Sequence, residues 1–543
     1  MIVPVVLHLG PLLAISIGGE WLPALLSASA VAHLLFSLGN RSRVWQTNPI
    51  YAAWLAAWMR WHVCTWVFSV LGIIVRCLFP MPVPSRVIGR HGVGVVDVEY
   101  EARHEPGKEL PGIGRVFYPT IEEPHGNTAR YISMDDRHGL TRLFLVIGAP
   151  DFLKPYLPAW ALSHWASIRI PAKKAATPWL PADGSRLPVV VFSHGLTASR
   201  ETSTSLALSL ASAGAFVLLL EHTDRSSTLA RLMDGQCVHY DTSVSALGAS
   251  PETPAYRTAR RAQTVTRIGN VHHALQFLDR LNGDAGLCQG LVKVEGMAEP
   301  DASWLLGRFC GRLAVDRLVL GGHSFGGATV LGAAAEMLSR TSDSEGGFGV
   351  AVSACFTLDP AVNWVPEALW DAIGYTGRVG DEPNAPPGPA VDRACPLVVG
   401  ALDSLTIFSE QWAAFNWYQE WAYGQNLRPR TTSAAGRWRV LQIKGCGHQG
   451  LCDLAWNLPH WLNKMLRNTL GGSSTDMAAA VNLSVLAFLQ DAAILAPGAT
   501  PLELQSVPHT TRHSSGQVGV VREPAGARQP HRGLSTELKQ GST

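Results

Sequence analysis

Charged side chains are scarce in this sequence of 543 residues. Asp, Glu, Lys and Arg make up 16% of it, whereas about 25% is typical of soluble domains. The shortfall indicates a membrane segment, an unusually apolar surface, or both. Neither sign of charge dominates, since 44 basic and 42 acidic residues leave a formal net charge of +2. Because such a chain has no global positive field, nucleic acid is not expected as a partner.

Cysteine is also sparse, with nine residues in the whole chain. This number excludes a dense disulfide framework, and because it is odd, at least one thiol lies outside any intramolecular pair. The absence of a CxxC pair argues against a zinc ribbon or a thioredoxin-type centre. Packing is the expected role of Cys446 and Cys452, which flank a histidine of interest. The sequence predicts neither a metal nor an organic cofactor.

The first apolar run is not preceded by the basic stretch with which a secretory signal peptide begins. Residues 2–39 carry one charge, Glu20, and a second apolar run covers 61–75. Each run approaches the length that crosses about 30 Å of hydrocarbon. We therefore predict that residues 1–80 form a membrane anchor of one or two helices and that the protein is membrane-associated. The alternatives are a leader removed in the secretory pathway and a segment that packs on the domain.

Residues 92–495 have the pattern of one globular domain in which strands and helices alternate. Alternating segments at 94–100 and 114–119 predict early antiparallel strands. Short apolar runs predict buried strands at 187–193, 215–220, 317–321, 349–358, 396–399 and 438–443. Helices are expected at 202–213, 259–281 and 326–338. The pattern implies a mostly parallel central sheet with helices on both faces. Residues 498–543 are rich in Pro, Gly, Ser and Thr and are predicted to form a disordered tail.

The longest predicted helix, 259–281, is amphipathic. Its apolar residues recur at helical spacing, at Val265, Ile268, Val271, Leu275 and Leu278. We expect this stripe to face the core.

Ser324 is the candidate nucleophile. It stands in a G-x-S-x-G pattern at 322–326, directly after a predicted strand and before a predicted helix. The turn is so tight that side chains at 322 and 326 would collide with neighbouring backbone. The N-terminus of the following helix favours a negative charge that develops at the serine. Since this placement is typical of the α/β-hydrolase fold, we predict a serine hydrolase of that fold.

A serine hydroxyl needs a base, and in this fold the acid and then the histidine follow the serine along the chain. Three of the five histidines after Ser324 lie in the predicted tail. His460 falls in a helical stretch, where a structural role is expected. His448 follows the strand predicted at 438–443, and a loop at the carboxyl end of a strand is where the base must lie. We therefore predict His448 as the base.

The residues themselves leave two candidates for the acid, Asp359 after the strand at 349–358 and Asp403 after the strand at 396–399. Either carboxylate could fix the histidine tautomer and stabilise the imidazolium. The oxyanion hole needs two backbone N–H donors. Phe325 follows the nucleophile and supplies one, and Leu196, in the loop after the strand at 187–193, is the candidate for the other. The alternative for this loop is an ordinary turn at the end of a strand.

Three segments carry a resemblance to a known family. They are V-F-S-H-G-L at 191–196, E-H-T-D-R-S at 221–226 and G-H-S-F-G-G-A-T at 322–329. In this order they resemble the platelet-activating factor acetylhydrolases of the plasma and type II intracellular group, the lipoprotein-associated phospholipase A2 family, over about residues 92–491. The resemblance implies a calcium-independent serine phospholipase that hydrolyses the sn-2 acetyl, short or oxidised acyl ester of phospholipids. It also implies action at a membrane or lipoprotein surface.

The resemblance further implies roles for single residues. The family places its acid in a Leu-Asp pair, which matches 358–359 and favours Asp359 over Asp403. Its histidine stands in a His-Gln pair, which matches 448–449, and its oxyanion donors correspond to Leu196 and Phe325.

This chain departs from the family pattern at two positions. Pro360 follows the acid where the family has a small residue, and Thr223 replaces a basic residue. These departures leave the acyl preference open. The charged residues Glu221, Asp224 and Arg225 are expected to be paired and structural.

Two aromatic segments, 152–165 and 412–421, are candidates for contact with a lipid surface, and packing in a core or lid would suit them equally. Two other functions stay open. One is a general carboxylesterase or lipase on the same fold. The other is a catalytically silent, membrane-bound protein that uses the hydrolase fold for interactions, although the Ser, Asp, His order argues against it.

Overall fold

The computed structural model describes residues 87–101, 110–122, 128–132, 168–248, 252–283, 292–340, 350–373, 402–413, 438–458, 460–471 and 473–496. All of them belong to one compact unit, Pro82–Thr543. The predicted anchor, the predicted tail, the aromatic segment 152–165 and the strand predicted at 396–399 lie outside the described residues. In the ranges given above, no helix has the length and apolar character that a membrane span requires.

The described strands form one large sheet and one small one. In chain order they are β1 (Gly92–Tyr100), β2 (Gly112–Thr120), β3 (Thr128–Arg130), β4 (Arg169–Lys174), β5 (Val189–Ser193), β6 (Phe216–Glu221), β7 (Leu229–Arg231), β8 (Cys237–His239), β9 (Val292–Val294), β10 (Leu318–His323), β11 (Val352–Leu358), β12 (Asp403–Ser409) and β13 (Trp438–Ile443).

The described helices follow the same numbering. They are α1 (Thr204–Ser212), α2 (Thr242–Ala246), α3 (Pro254–Gly283), α4 (Glu299–Gly307), α5 (Phe325–Arg340), α6 (Trp370–Ile373), α7 (Glu410–Ala413), α8 (Leu454–Asn457), α9 (His460–Met465) and α10 (Ser474–Asp491).

The large sheet has the order β13-β12-β11-β10-β5-β6-β2-β1-β4-β3, and β9 pairs with β1. The strands from β6 to β13 along this order are parallel neighbours. β1 and β2 are antiparallel, from Gly92 opposite Thr120 to Tyr100 opposite Gly112, and β2 is antiparallel to β6. The predicted early antiparallel pair and mostly parallel sheet are therefore confirmed.

Strands β5 and β6 are buried along their whole length. In β5, Val189 and Val191 belong to a core that also contains Ile268 and Val271 of α3. The alternate residues of β5 point to the opposite face, because side chains alternate along a strand. Helix α1 packs on β6 and against α10 outside that core, while α3 packs against α5. Helices thus cover both faces, as predicted.

The buried stripe of α3 differs from the predicted one at its start. Val265 was expected in the core, but its side chain is 56% exposed. Arg260, Thr264 and Arg267 are fully buried instead. Hydropathy misses this part of the stripe because its members are polar, and each also bonds a group outside the helix, in Tyr240, Trp364 and Asp224 respectively.

The prediction that Asp403 ends a strand was wrong, because Asp403 begins β12. The strand was missed because three of its buried residues, Ser404, Thr406 and Ser409, are polar and break up the apolar run. Thr406 accepts a hydrogen bond from Thr357 on β11 at 3.2 Å, and Ser409 bonds the carboxylate of Asp359.

Candidate active site

Ser324 is the single residue between β10 and α5, and its φ is +55°. Its N–H donates to the carbonyl of Leu358, at the end of the neighbouring β11, at 2.8 Å. A Cβ at Gly326 would lie 1.9 Å from the carbonyl oxygen of Ser193, and one at Gly322 would lie 2.3 Å from the carbonyl oxygen of Gly326. No side chain fits at either glycine. The predicted tight turn is therefore confirmed, together with the steric clash from which it was predicted.

His448 is in hydrogen-bond contact with this serine, because its Nε2 lies 3.0 Å from Ser324 Oγ. It begins a 3-10 turn, His448–Leu451, five residues after the end of β13. Its backbone N–H donates to Oε1 of Gln411 at 2.9 Å. The imidazole is half-buried and lies at the carboxyl ends of the parallel strands, as the sequence predicts.

Asp359 lies on the other side of the imidazole, with Oδ2 2.9 Å from His448 Nδ1. Its carboxylate is fully buried and accepts from the Ser409 N–H at 2.8 Å and from the Ser409 hydroxyl at 2.6 Å. The carboxylate can only accept, so Nδ1 of His448 carries the proton and Nε2 faces the Ser324 hydroxyl as an acceptor. The three side chains thus form one continuous hydrogen-bonded chain.

Asp403, the other candidate acid, lies at the opposite end of the parallel strands. The N–H of Asp359 donates to the carbonyl of Ile407 at 2.9 Å, and Asp403 precedes Ile407 by four residues on β12. Four residues of strand span about 13 Å. Asp403 is therefore out of reach of His448, and the structure brings Asp359 to the imidazole.

The two predicted oxyanion donors belong to segments that adjoin Ser324. Phe325 is the first residue of α5, so its N–H has no partner within the helix. A Cβ at Gly195 would lie 3.2 Å from Ser324 Cβ, so the loop that carries Leu196 runs directly beside the serine. Within the described ranges, neither the Leu196 nor the Phe325 N–H donates a recorded backbone hydrogen bond. Neither N–H is therefore engaged by a backbone carbonyl there, and their role as the two donors of an oxyanion hole stays a prediction.

Three residues that contact Asp359 or His448 were not predicted from the sequence as part of the site, and all three lie within 409–412. Ser409 holds Asp359, Gln411 accepts from the His448 N–H, and Trp412 stacks on the His448 imidazole with ring centroids 3.9 Å apart and planes at 13°. The rule that found Asp359 could not find Ser409, because the strand that Ser409 ends was not predicted from the sequence. Nothing in the sequence links Trp412 to His448.

Trp412 was one of the residues predicted to contact lipid or to pack in a core. It packs on His448, and residues 414–421 of that segment lie outside the described residues.

The charged set after β6 is paired, as expected. Glu221 faces Nε2 of His194 at 3.0 Å, and Asp224 lies 3.2 Å from Nε of Arg267. All four side chains are buried, whereas the Arg225 side chain is 61% exposed. Sequence reasoning identified the two carboxylates but not their partners, which come from other elements.

Several titratable groups around Ser324 are kept neutral by burial. Burial raises the pKa of the Cys452 thiol to about 12 and the pKa of the Cys446 thiol well above its usual range. Both cysteines are buried, so their predicted packing role is confirmed. Burial and the neighbouring His448 hold the pKa of His323 well below its usual range. In the part of the chain that the structure describes, no group of three or more His, Cys, Asp or Glu side chains is arranged to hold a metal ion.

The strand order, the turn at Ser324 and the bonded Ser324, His448 and Asp359 define a protein of the α/β-hydrolase fold. A family model described as platelet-activating factor acetylhydrolase, isoform II, matches residues 82–352. The chain belongs to this family. The matched residues include Ser324, whereas Asp359 and His448 lie beyond them.

Named relatives agree with the family model at low identity. The platelet-activating factor acetylhydrolase of Cavia porcellus is 25% identical over 227 residues, which cover 40% of this chain and 45% of that protein. The same-named protein of Canis lupus familiaris is 26% identical over 289 residues, which cover 52% and 58%. The chain thus spans about half the length of the curated relatives it matches. Among solved structures, a ferulic acid esterase from Streptomyces cinnamoneus has a TM-score of 0.44 at 18% identity, over 76% of this chain and 92% of the other.

Proposed function

We propose that this chain is a serine hydrolase that cleaves the sn-2 ester of phospholipids of the platelet-activating factor type. The observation that carries the proposal is the chain of hydrogen bonds from Ser324 through His448 to Asp359, with distances of 3.0 and 2.9 Å. These distances lie within the range that a nucleophile and its base require.

The first half of the proposed reaction forms an acyl-enzyme. His448 Nε2 takes the proton of the Ser324 hydroxyl while Oγ attacks the ester carbonyl carbon. The carbonyl oxygen becomes an oxyanion, which the N–H groups of Leu196 and Phe325 stabilise. The imidazolium then gives its proton to the leaving oxygen, and a lysophospholipid departs. Asp359 fixes the orientation of the ring and stabilises its positive charge.

The second half releases the acyl group. His448 takes a proton from a water molecule, the resulting hydroxide attacks the acyl-serine, and the same two N–H groups stabilise the second oxyanion. The imidazolium returns its proton to Ser324 Oγ, so the enzyme is regenerated and a carboxylic acid leaves, which then loses its proton to solvent. Protons move between the substrate, water, Ser324 and His448, and the two N–H groups stabilise each oxyanion, so the proposed reaction needs no calcium.

The preference for an acetyl, short or oxidised sn-2 chain is the finer part of the proposal. It is supported by membership of the family and by the names of the relatives. We further propose that the protein works at a membrane or lipoprotein surface and that residues 1–80 attach it to a membrane. The low charge content of 16% supports membrane attachment.

A substrate panel tests the proposed specificity. Purified full-length wild type is compared with Ser324→Ala, in EDTA, on phosphatidylcholines with acetyl, oxidised and long sn-2 chains and on a neutral triacylglycerol. We expect the wild type to cleave the first two and the variant to cleave none. Preference for the neutral ester would favour a general carboxylesterase, and no cleavage by the wild type would favour a silent interaction protein.

A further inference from the structure

The buried arginine of α3, Arg267, contacts the carbonyls of the loop that carries Leu196. Its Nη1 donates to the His194 carbonyl at 2.7 Å, and its Nη2 lies 3.5 Å from the Gly195 carbonyl. We name residues 194–200 the oxyanion loop. One guanidinium thus bridges two successive peptide groups of this loop, and its side chain is fully buried.

The ring of His194 approaches the same carbonyl. Nδ1 of His194 lies 2.8 Å from the Gly195 oxygen, and Nε2 of this ring faces Glu221 at 3.0 Å. The other oxygen of Glu221 accepts from the Arg200 N–H at 3.1 Å, at the end of the oxyanion loop. Glu221 therefore fixes both the ring of His194 and the far end of the loop.

The carbonyl of Gly195 and the N–H of Leu196 belong to one peptide group. In a trans peptide they point in opposite directions, so donors bound to the oxygen fix the direction of the N–H. They also polarise the amide, which strengthens the hydrogen bond that its N–H donates. The contacts with the Gly195 oxygen thus orient the Leu196 N–H and strengthen the hydrogen bond that it can donate.

Arg267 also reaches the second donor residue. Its Cζ lies 4.2 Å from the centroid of the Phe325 ring, and the guanidinium over this ring is a cation–π contact. On its other side Arg267 is held by Asp224 at 3.2 Å and by the Ser226 hydroxyl at 2.6 Å. The 221–226 segment after β6 therefore supports the oxyanion loop through Arg267 as well as through His194.

We propose that Arg267 and His194 are positioning residues that hold and polarise the Gly195–Leu196 peptide for the oxyanion hole. The inference rests on the proposed ester hydrolysis. It gives the E-H-T-D-R-S segment an indirect role in catalysis. Glu221 holds His194 and Asp224 holds Arg267, and these two partners contact the Gly195–Leu196 peptide.

The test uses Arg267→Lys and His194→Gln in the full-length protein, with Arg260→Lys as the matched control. Arg267→Lys keeps the charge opposite Asp224 but loses the fork that spans two carbonyls. Arg260 is equally buried on the same helix, and among the described residues its side chain contacts Gln263, Tyr240, Tyr256 and Trp364.

Each protein is assayed for Tm, for kcat/KM on p-nitrophenyl acetate and for two inhibition constants. The inhibitors are an alkyl trifluoromethyl ketone, whose hemiketal oxygen occupies the oxyanion hole, and the matching secondary alcohol.

We expect kcat/KM to fall about 10- to 100-fold in both test variants, less than the 10²–10³ lost with a whole donor. The inhibition constant of the ketone should rise by a similar factor, while that of the alcohol changes less than about twofold. Arg260→Lys should lower Tm without separating the two inhibitors. His194→Gln leaves the Arg267–Asp224 pair intact, so it carries the test if Arg267→Lys does not fold.

Equal weakening of both inhibitors, or unchanged kcat/KM in a folded variant, would overturn the inference. The proposed function fails in a different way, because wild type itself would then prefer the neutral ester or hydrolyse no ester. Binding of the ketone would still report on the oxyanion hole in that case.

Discussion

Two residues of the site, Ser324 and Asp359, have backbone conformations that side chains rarely adopt. Their φ angles are +55° and +44°. Such conformations cost about 1–3 kcal/mol each and persist where the surroundings over-determine them. Here the backbone N–H groups of both residues are bonded, that of Ser324 to the carbonyl of Leu358 at the end of β11 and that of Asp359 to the carbonyl of Ile407 in β12. The strain is thus used to direct a hydroxyl and a carboxylate towards the same imidazole.

The orientation of the Asp359 carboxylate depends on Ser409. In Ser409→Ala, Asp359 Oδ2 loses its 2.6 Å hydrogen bond inside the protein, so the carboxylate holds His448 less firmly. Loss of a buried partner of this kind costs about 1–3 kcal/mol. We expect kcat to fall about 10-fold with KM little changed, as measured on p-nitrophenyl acetate. Ser404→Ala, a buried serine at the other end of β12, should leave kcat unchanged. Equal losses in both variants would contradict this role.

Trp412 fixes the plane of the imidazole from its face. Stacked aromatic pairs contribute about 0.5–1.5 kcal/mol beyond their buried area. Trp412→Leu should therefore lower kcat by about 2- to 10-fold, and Trp412→Phe should recover most of it, because Phe can still stack on His448. Steady-state kinetics on p-nitrophenyl acetate measure both. A leucine variant as active as the phenylalanine variant would show that the stacking does not orient His448.

At the scale of elements, one buried carboxylate connects α1 to the segment that follows β13. Both oxygens of Asp453 accept from the N–H of Ser205, in the first turn of α1, at 3.0 and 3.3 Å. Burial raises the pKa of Asp453 to about 7. A carboxyl with a raised pKa binds its proton more tightly in the folded state, so it makes stability fall as pH rises from about 4 to 7.

Asp453→Asn removes that titration and keeps an oxygen for the Ser205 N–H. We expect the variant to match the wild type near pH 4 and to become progressively more stable than it up to about pH 7, with a constant difference above. Urea unfolding across this pH range measures the difference. A difference independent of pH would mean that Asp453 does not titrate in this window.

The elements that the sequence predicts well are those in which apolar burial is continuous. β5 and β6 were placed within a few residues, because their buried side chains are apolar up to the last residue of each strand. β12 and the first half of the buried stripe of α3 were misplaced, because their buried residues include Thr406, Ser409 and Arg267. Such residues are buried only because partners from distant segments satisfy them, and a local pattern does not contain those partners.

At the scale of the whole molecule, the candidate site draws on segments that lie far apart in the chain. Chain order and strand ends were sufficient to predict Ser324 and His448. They left the acid open between Asp359 and Asp403, since that choice depends on where β12 begins. Arg267 and Trp412 could not be predicted, because their contacts with the site exist only once the helices have packed on the sheet.

The most direct test of the central claim is labelling of the intact protein with a fluorophosphonate probe, with the modified residue located by peptide mass spectrometry. The probe reacts with a serine whose hydroxyl is activated by a base. We predict that wild type is labelled at Ser324 and that Ser324→Ala and His448→Ala are not, although both variants remain folded by circular dichroism. Labelling at another residue, or no labelling of folded wild type, would contradict the account.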